Sequence, residues 1–246
     1  DNGYDISDYE DIDPLFGSLD DLDELIAGLH SRGMRLMMDL VVNHTSDEHD
    51  WFRASRSSKD DPKRDWYIWR PARQVPGLEP GQPGTEPTNW GSFFSGSTWA
   101  WDEGSGEFYL HLFSTKQPDL NWENENVRRA IYEMMGRWLD RGVDGFRMDV
   151  INFISKSYPL ADGIKRDGDL YGDGASLVVN GPRIHEFLHE MNETVFASRA
   201  AHIVTVGEMP GVTLAEAQRY TDPAADGWGC PPTGGSRGWC STSTWR

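Results

Sequence analysis

VDGFRMDV, Val143 to Val150, decides the fold. It is a short, mostly apolar run directly after Gly142. Ahead of that glycine, Val127, Ile131, Met134, Met135 and Trp138 mark one face of a helix over 127–140. A helix stopped by glycine and followed at once by a strand is half of a βαβ unit, and a near-continuous apolar strand suits a parallel sheet covered on both faces. The same couplet stands on either side. Upstream, Ser18 and Asp21 form a capping-box pattern, Leu22, Leu25, Ile26 and Leu29 recur at helical spacing, Gly33 ends the helix, and RLMMDLVV (Arg35 to Val42) extends. Downstream, Ile184, Phe187, Leu188, Met191 and Val195 mark a third helix and HIVTVGE (His202 to Glu208) a third strand. Helix and strand alternating without tight hairpins predict right-handed crossovers and an α/β fold with a parallel sheet.

Each strand carries an acid: Asp39, Asp149 and Glu208. Ligands of parallel α/β folds bind beyond the carboxyl ends of the strands, so these carboxylates are expected to converge. Arg147 and Asp149 are two residues apart and share one face of an extended strand. A guanidinium there is expected to hold Asp149 ionised. Two carboxyl groups, one ionised and one protonated, are what retaining glycoside hydrolysis requires. Asp149 is then the nucleophile, and Glu208, set among Val204, Val206 and Met209, is the acid, since desolvation raises a carboxyl pKa.

Between the first two couplets lies an insertion rich in Trp, Pro, Gly and Ser, read as irregular and without a helix. Inside it PARQVPGLEPGQPGTEPT (71–88) reads as an exposed loop. The 246 residues hold 23 Lys+Arg and 40 Asp+Glu, a net charge of −17, which disfavours nucleic acid and anionic membranes as partners. No apolar run approaches the ~18 residues of a membrane span. The two cysteines, Cys230 and Cys240, argue against a disulfide scaffold and fit a reducing, cytoplasmic compartment. Eleven tryptophans suit amphipathic ligands such as sugars, although core packing accounts for any single one.

DLVVNH (39–44), QPDLNWEN (117–124), GFRMDVINF (145–153) and TVGEMPGVT (205–213), with the opening DNGYDISDY, resemble ordered signature segments of the α-amylase superfamily, glycoside hydrolase family 13. The likeness is greatest to its oligo-1,6-glucosidase and α-glucosidase subgroup. It implies an exo-acting retaining α-glucosidase for isomalto-oligosaccharides, a small-molecule substrate, and no required cofactor, calcium belonging to a loop outside this chain. It implies Asp149 as nucleophile, Glu208 as acid/base and Arg147 as the arginine that orients the nucleophile. Tyr4 is implied to stack on the glycone with Asp39 supporting that wall, His44 to bind the 6-hydroxyl, and Asp1 to hold the non-reducing end. Val150 resembles the residue found in members that cleave α-1,6 bonds. Broad α-1,4-glucosidases, sucrose isomerases and trehalose-6-phosphate hydrolases share these motifs.

Removing an insertion of about 80 residues leaves about 165, too few for eight βαβ units of ~30 residues. The expectation is therefore a partial (β/α)8 TIM barrel with an inserted irregular subdomain, a fragment whose catalytic competence is open. Its segments are 1–44 (barrel), 45–125 (insertion), 126–222 (barrel with nucleophile and acid/base) and 223–246 (an aberrant tail). From about residue 227 the text loses its acids and periodicity, as a shifted reading frame would produce. Two other classes compete. One is a carbohydrate-binding remnant without turnover. The other is a zinc metalloprotease, from HEFLH, His185 to His189, whose histidines flank the apolar face of their helix. DGDLYGDG (167–174) is read as a surface loop, because Tyr171 and Val178 stand where a calcium loop needs oxygen ligands.

Overall fold

A computed structural model describes residues 3–199, 203–221 and the strand at 238–241. In chain order the elements are α1 (Leu19–His30), β1 (Met37–Val41), α2 (Asp50–Ser57), β2 (Trp69–Arg70), β3 (Trp99–Asp102), β4 (Glu107–Leu110), α3 (Glu125–Arg141), β5 (Gly145–Asp149), α4 (Ala175–Val178), α5 (Ile184–Met191), β6 (Val204–Glu208), α6 (Leu214–Thr221) and β7 (Gly238–Ser241). They fall into two compact units. One comprises Asp8–Leu40, Arg128–Asn152 and Arg183–Arg246, the other Asp1–Ser7, Val41–Val127 and Phe153–Pro182.

The first unit is the α/β one. Its sheet has the order β1-β5-β6-β7, with β5 and β6 parallel and β6 and β7 parallel. The sheet does not close on itself among the described residues. α1 starts as predicted: Ser18 Oγ accepts from the Asp21 amide at 3.3 Å, and the Asp21 carboxylate accepts from the Ser18 amide at 2.8 Å. α3 buries Ile131, Met134, Met135 and Trp138, and the Trp138 indole donates to the Tyr9 carbonyl at 2.8 Å. At the head of β5, Asp144 accepts from the Leu36 amide, Arg35 and His30 at 2.6–2.8 Å. Burial opposes its charge, but these bonds hold the carboxyl below its ordinary range. Gly145 is required next, because a Cβ there would sit 1.9 Å from the Val204 carbonyl oxygen. The third helix is shorter than expected. α5 ends at Met191 and the chain continues as a π-turn, Asn192–Phe196, which keeps Val195 and Phe196 buried.

The tail also departs from its reading. Within the stretch read as aperiodic from about residue 227, β7 lies parallel to β6, pairing Thr205 with Gly238 through Glu208 with Ser241. Cys230 lies outside the described residues.

In the second unit the insertion is not irregular and not free of helix. α2 spans eight residues, capped by the His49 ring accepting from the Trp51 amide at 3.0 Å. β2, β4 and β3 form an antiparallel sheet in that order. Phe52 of α2 packs on Tyr67, Trp69 and Tyr109 with ring centroids 5.0–5.7 Å apart. Buried indoles are satisfied internally: Trp69 donates to Ser55, Trp99 to Thr88, Trp122 to the Val42 carbonyl and Trp90 to the Ala161 carbonyl. These tryptophans are core. The segment 71–88 is not wholly exposed, since Thr85 and Thr88 are buried and a Cβ at Gly81 would lie 2.7 Å from the Trp101 ring. Phe153–Pro182 belongs to this unit although it follows β5. Its 163–174 stretch bridges Trp90 to Gly172 and Ile164 to Asp173, and side chains at Gly172 or Gly174 would collide with Asn89 and Trp90. Among the described residues no helix is long and apolar enough to cross a membrane.

Candidate active site

The α/β unit brings together four of the residues singled out in the sequence. The β5–β6 register pairs Arg147 with Val206 and Met148 with Gly207, so Asp149 and Glu208 leave their strands side by side. Arg147 is the hub. Its Nη1 donates to Asp39 at 2.7 Å and to Asp149 at 2.9 Å, and its Nη2 donates to Glu208 at 2.5 Å. One cation thus faces three carboxylates. Burial works against its charge, yet Asp39, Glu208 and Asp149 raise the pKa of Arg147 further.

Asp149 departs from the expectation that Arg147 holds it ionised. Burial pushes its carboxyl up to about 7, the pull of Arg147 notwithstanding, and a hydrogen bond with Glu208 adds to the rise. The physical reason is desolvation: the Asp149 side chain is 9% exposed, and a guanidinium already shared with Asp39 and Glu208 offsets only part of that loss.

Val150 follows Asp149 with φ +36°, a conformation rare for a β-branched residue. It ends β5 and turns the chain into a 3₁₀ turn, Ile151–Phe153. Asn152, fully buried, donates from Nδ2 to the Pro210 carbonyl at 3.0 Å and so ties the turn after Asp149 to the turn after Glu208. It was not singled out in the sequence, where an Asn in a turn carries no distinguishing pattern.

Tyr4 and His44 lie in the other unit, where they meet each other. His44 is buried, and its Nε2 is 3.0 Å from the Tyr4 carbonyl and 3.2 Å from Gln117 Nε2, which also donates to that carbonyl at 2.9 Å. Asn43 Nδ2 lies 3.2 Å from His44 Nδ1 and donates to Asp119 at 3.0 Å. Lys156 donates to Asn43 Oδ1 at 2.9 Å and pairs with Asp119 at 2.7 Å, both partners buried. Burial lowers the His44 pKa, more than Asp119 and the Tyr4 carbonyl restore it, so the ring is neutral at pH 7. Asn43, Gln117 and Asp119 stand in quoted motifs without an assigned role, and Lys156 carried no signal beyond being a cation next to an apolar run. Asp1 lies outside the described residues.

The HEFLH string does not assemble a metal centre. On α5, Ile184, Phe187, Leu188 and Met191 are the buried face, the His185 ring packs on Tyr220 at 4.8 Å, and His189 lies 3.6 Å from Glu193. No group of three or more His, Cys, Asp or Glu side chains among the described residues is placed to hold a metal ion.

A cation-spanned pair of carboxylates at the ends of parallel strands defines a class, and comparison with known proteins gives the family. Residues 1–228 match the α-amylase catalytic domain, and the chain belongs to the α-amylase family. It is 59% identical over 224 residues to the oligo-1,6-glucosidase of Parageobacillus thermoglucosidasius, a match covering 91% of this chain and 38% of that protein. The crystal structure of the trehalose-6-phosphate hydrolase of Bacillus licheniformis superposes with a TM-score of 0.81 at 48% identity, over 92% of this chain and 38% of that one. The isomaltulose synthase of Protaminobacter rubrum superposes with a TM-score of 0.83 at 38% identity, over 99% and 39%. The chain spans about 38% of the length of the curated relatives it matches.

Proposed function

We propose that this chain carries the nucleophile and the acid/base of a retaining, exo-acting α-glucosidase that prefers α-1,6-linked isomalto-oligosaccharides, and that its sheet is part of a (β/α)8 barrel. The observation that carries the reading is Arg147 spanning Asp39, Asp149 and Glu208. Asp149 attacks the anomeric carbon while Glu208 gives its proton to the departing glycosidic oxygen. Glu208 then takes a proton from water, whose oxygen displaces Asp149 from the glucosyl ester. The mechanism requires a proton on Glu208 when attack begins and a charged Asp149 beside Arg147. Retaining enzymes separate these groups by ~5–5.5 Å, so substrate entry opens the Asp149–Glu208 hydrogen bond.

The likeness to oligo-1,6-glucosidases and Val150 after the nucleophile support the α-1,6 preference. Tyr4, His44 and Asp1 are assigned to the glycone by the family motifs. The test is hydrolysis of isomaltose followed by NMR, with mass analysis after a fluorinated glucosyl donor. The α-anomer as first product and a glucosyl adduct on Asp149 support the reading. A first-formed β-anomer, or an adduct on another residue, overturns it.

A further inference from the structure

Lys156 is a buried ammonium that the catalytic chemistry does not use, and its contacts lead step by step to Tyr4. An ammonium only donates, so the group facing Lys156 Nζ at 2.9 Å must be the oxygen of the Asn43 amide. That fixes the amide. Its NH2 then faces Asp119 Oδ2 at 3.0 Å, which also requires a donor, and His44 Nδ1 at 3.2 Å. Facing an NH2, Nδ1 must be the bare nitrogen, and a neutral ring then carries its proton on Nε2. Nε2 lies 3.0 Å from the Tyr4 carbonyl, an acceptor. Gln117 Nε2 donates to the same carbonyl at 2.9 Å, which explains why two nitrogens sit 3.2 Å apart without repelling through their protons. Asp119 is held in turn by the Leu112 amide at 2.9 Å. The other tautomer would set N–H against NH2 at Nδ1 and lone pair against carbonyl at Nε2.

We propose that Lys156, paired with Asp119, is a positioning residue that locks His44 as its Nε2–H tautomer through Asn43 and thereby anchors the main chain at Tyr4. The value of that anchoring for sugar binding rests on the proposed glucosidase reading. The lock itself does not.

The test is 15N NMR of the histidine-labelled protein at neutral pH. Wild-type His44 is expected to show a protonated, pyrrole-like Nε2 and a bare, pyridine-like Nδ1. Nδ1–H in the wild type overturns the proposal. In Lys156→Met the Asn43 oxygen loses its donor and Asp119 its partner cation, so the amide is free to reverse, and His44 is expected to give averaged signals from both tautomers. A folded variant with an unchanged single tautomer overturns the lock. Breaking a buried ion pair can cost the fold. Asn43→Asp covers that case, because it keeps the size of the side chain and offers an acceptor to His44 Nδ1. A protonated Nδ1 supports the lock, and a bare Nδ1 overturns it. None of these readouts requires turnover, so loss of the glucosidase reading leaves the lock standing, and the reverse.

Discussion

Asp149→Asn is expected to stabilise the protein above neutrality and to abolish the proposed glucosidase turnover. Asp149 has its carboxyl pushed from 3.8 up to about 7, chiefly by burial. Between those values the unfolded chain has lost the proton that the native protein keeps, so stability falls as pH rises through the window and levels above about 7. The interval at 1.36 kcal/mol per pH unit sets a ceiling of about 4 kcal/mol. Asparagine keeps the geometry without the charge. Its oxygen can still accept from Arg147, now 2.9 Å from Asp149, and its NH2 can donate to Glu208. Urea unfolding of both proteins at pH 4, 5.5, 7 and 8.5 measures the effect (pH values roughly bracketing the window). The stability difference between mutant and wild type should grow across it and then hold constant. A difference that stays flat from pH 4 to 8.5 (roughly the same window) refutes the burial argument and returns Asp149 to an ordinary ionised carboxylate.

Glu208→Gln should cut kcat for isomaltose by roughly 10³-fold or more and restore part of the rate with a glucoside whose leaving group needs no protonation, measured by steady-state kinetics. Val150→Thr keeps the β-branch at φ +36° but adds a hydroxyl, and the maltose-to-isomaltose ratio of kcat/KM should rise; an unchanged ratio removes the linkage argument. Gly145→Ala places a Cβ against the Val204 carbonyl and should cost more than about 3 kcal/mol or prevent folding, seen by circular dichroism. Asp144→Ala leaves the Leu36 amide and Arg35 without their acceptor and should cost about 1–3 kcal/mol at pH 7, with the loss vanishing as pH falls below 3.8, because a lowered carboxyl pKa stabilises only above it.

What was legible in the sequence is what depends on periodicity. The i, i+2 spacing of Arg147 and Asp149 is two residues on one strand face, and the 2.9 Å bond between them follows from it. The three helix–strand couplets were legible for the same reason: α3 and α5 bury the residues that recur at helical spacing, whereas α1, of its Leu22, Leu25, Ile26 and Leu29, buries Ile26 and leaves Leu25 exposed. The inserted sheet was not. β2 has two residues and β3 and β4 four each, too short for alternation to show, and the indoles of Trp99 and Trp69 are fixed by partners outside the sheet, Thr88 and Ser55, 11 and 14 residues away.

Charge state was the other illegible quantity, because it depends on how much water each carboxylate keeps. Arg147 two residues from Asp149 reads as an ion pair, and it is one. The same guanidinium also serves Asp39 and Glu208, and that sharing became visible only once the β5–β6 register set Glu208 beside Asp149. With three carboxylates on one cation, full ionisation leaves two uncompensated charges, and the best-buried carboxylate takes up the proton. Lys156 shows the opposite balance. It meets a single fully buried carboxylate, Asp119, and donates to a neutral amide, so its charge is matched one to one and it acts as a fixed donor. The ratio of cations to carboxylates in each buried cluster therefore separates a pair that moves a proton from one that holds neighbouring groups in place.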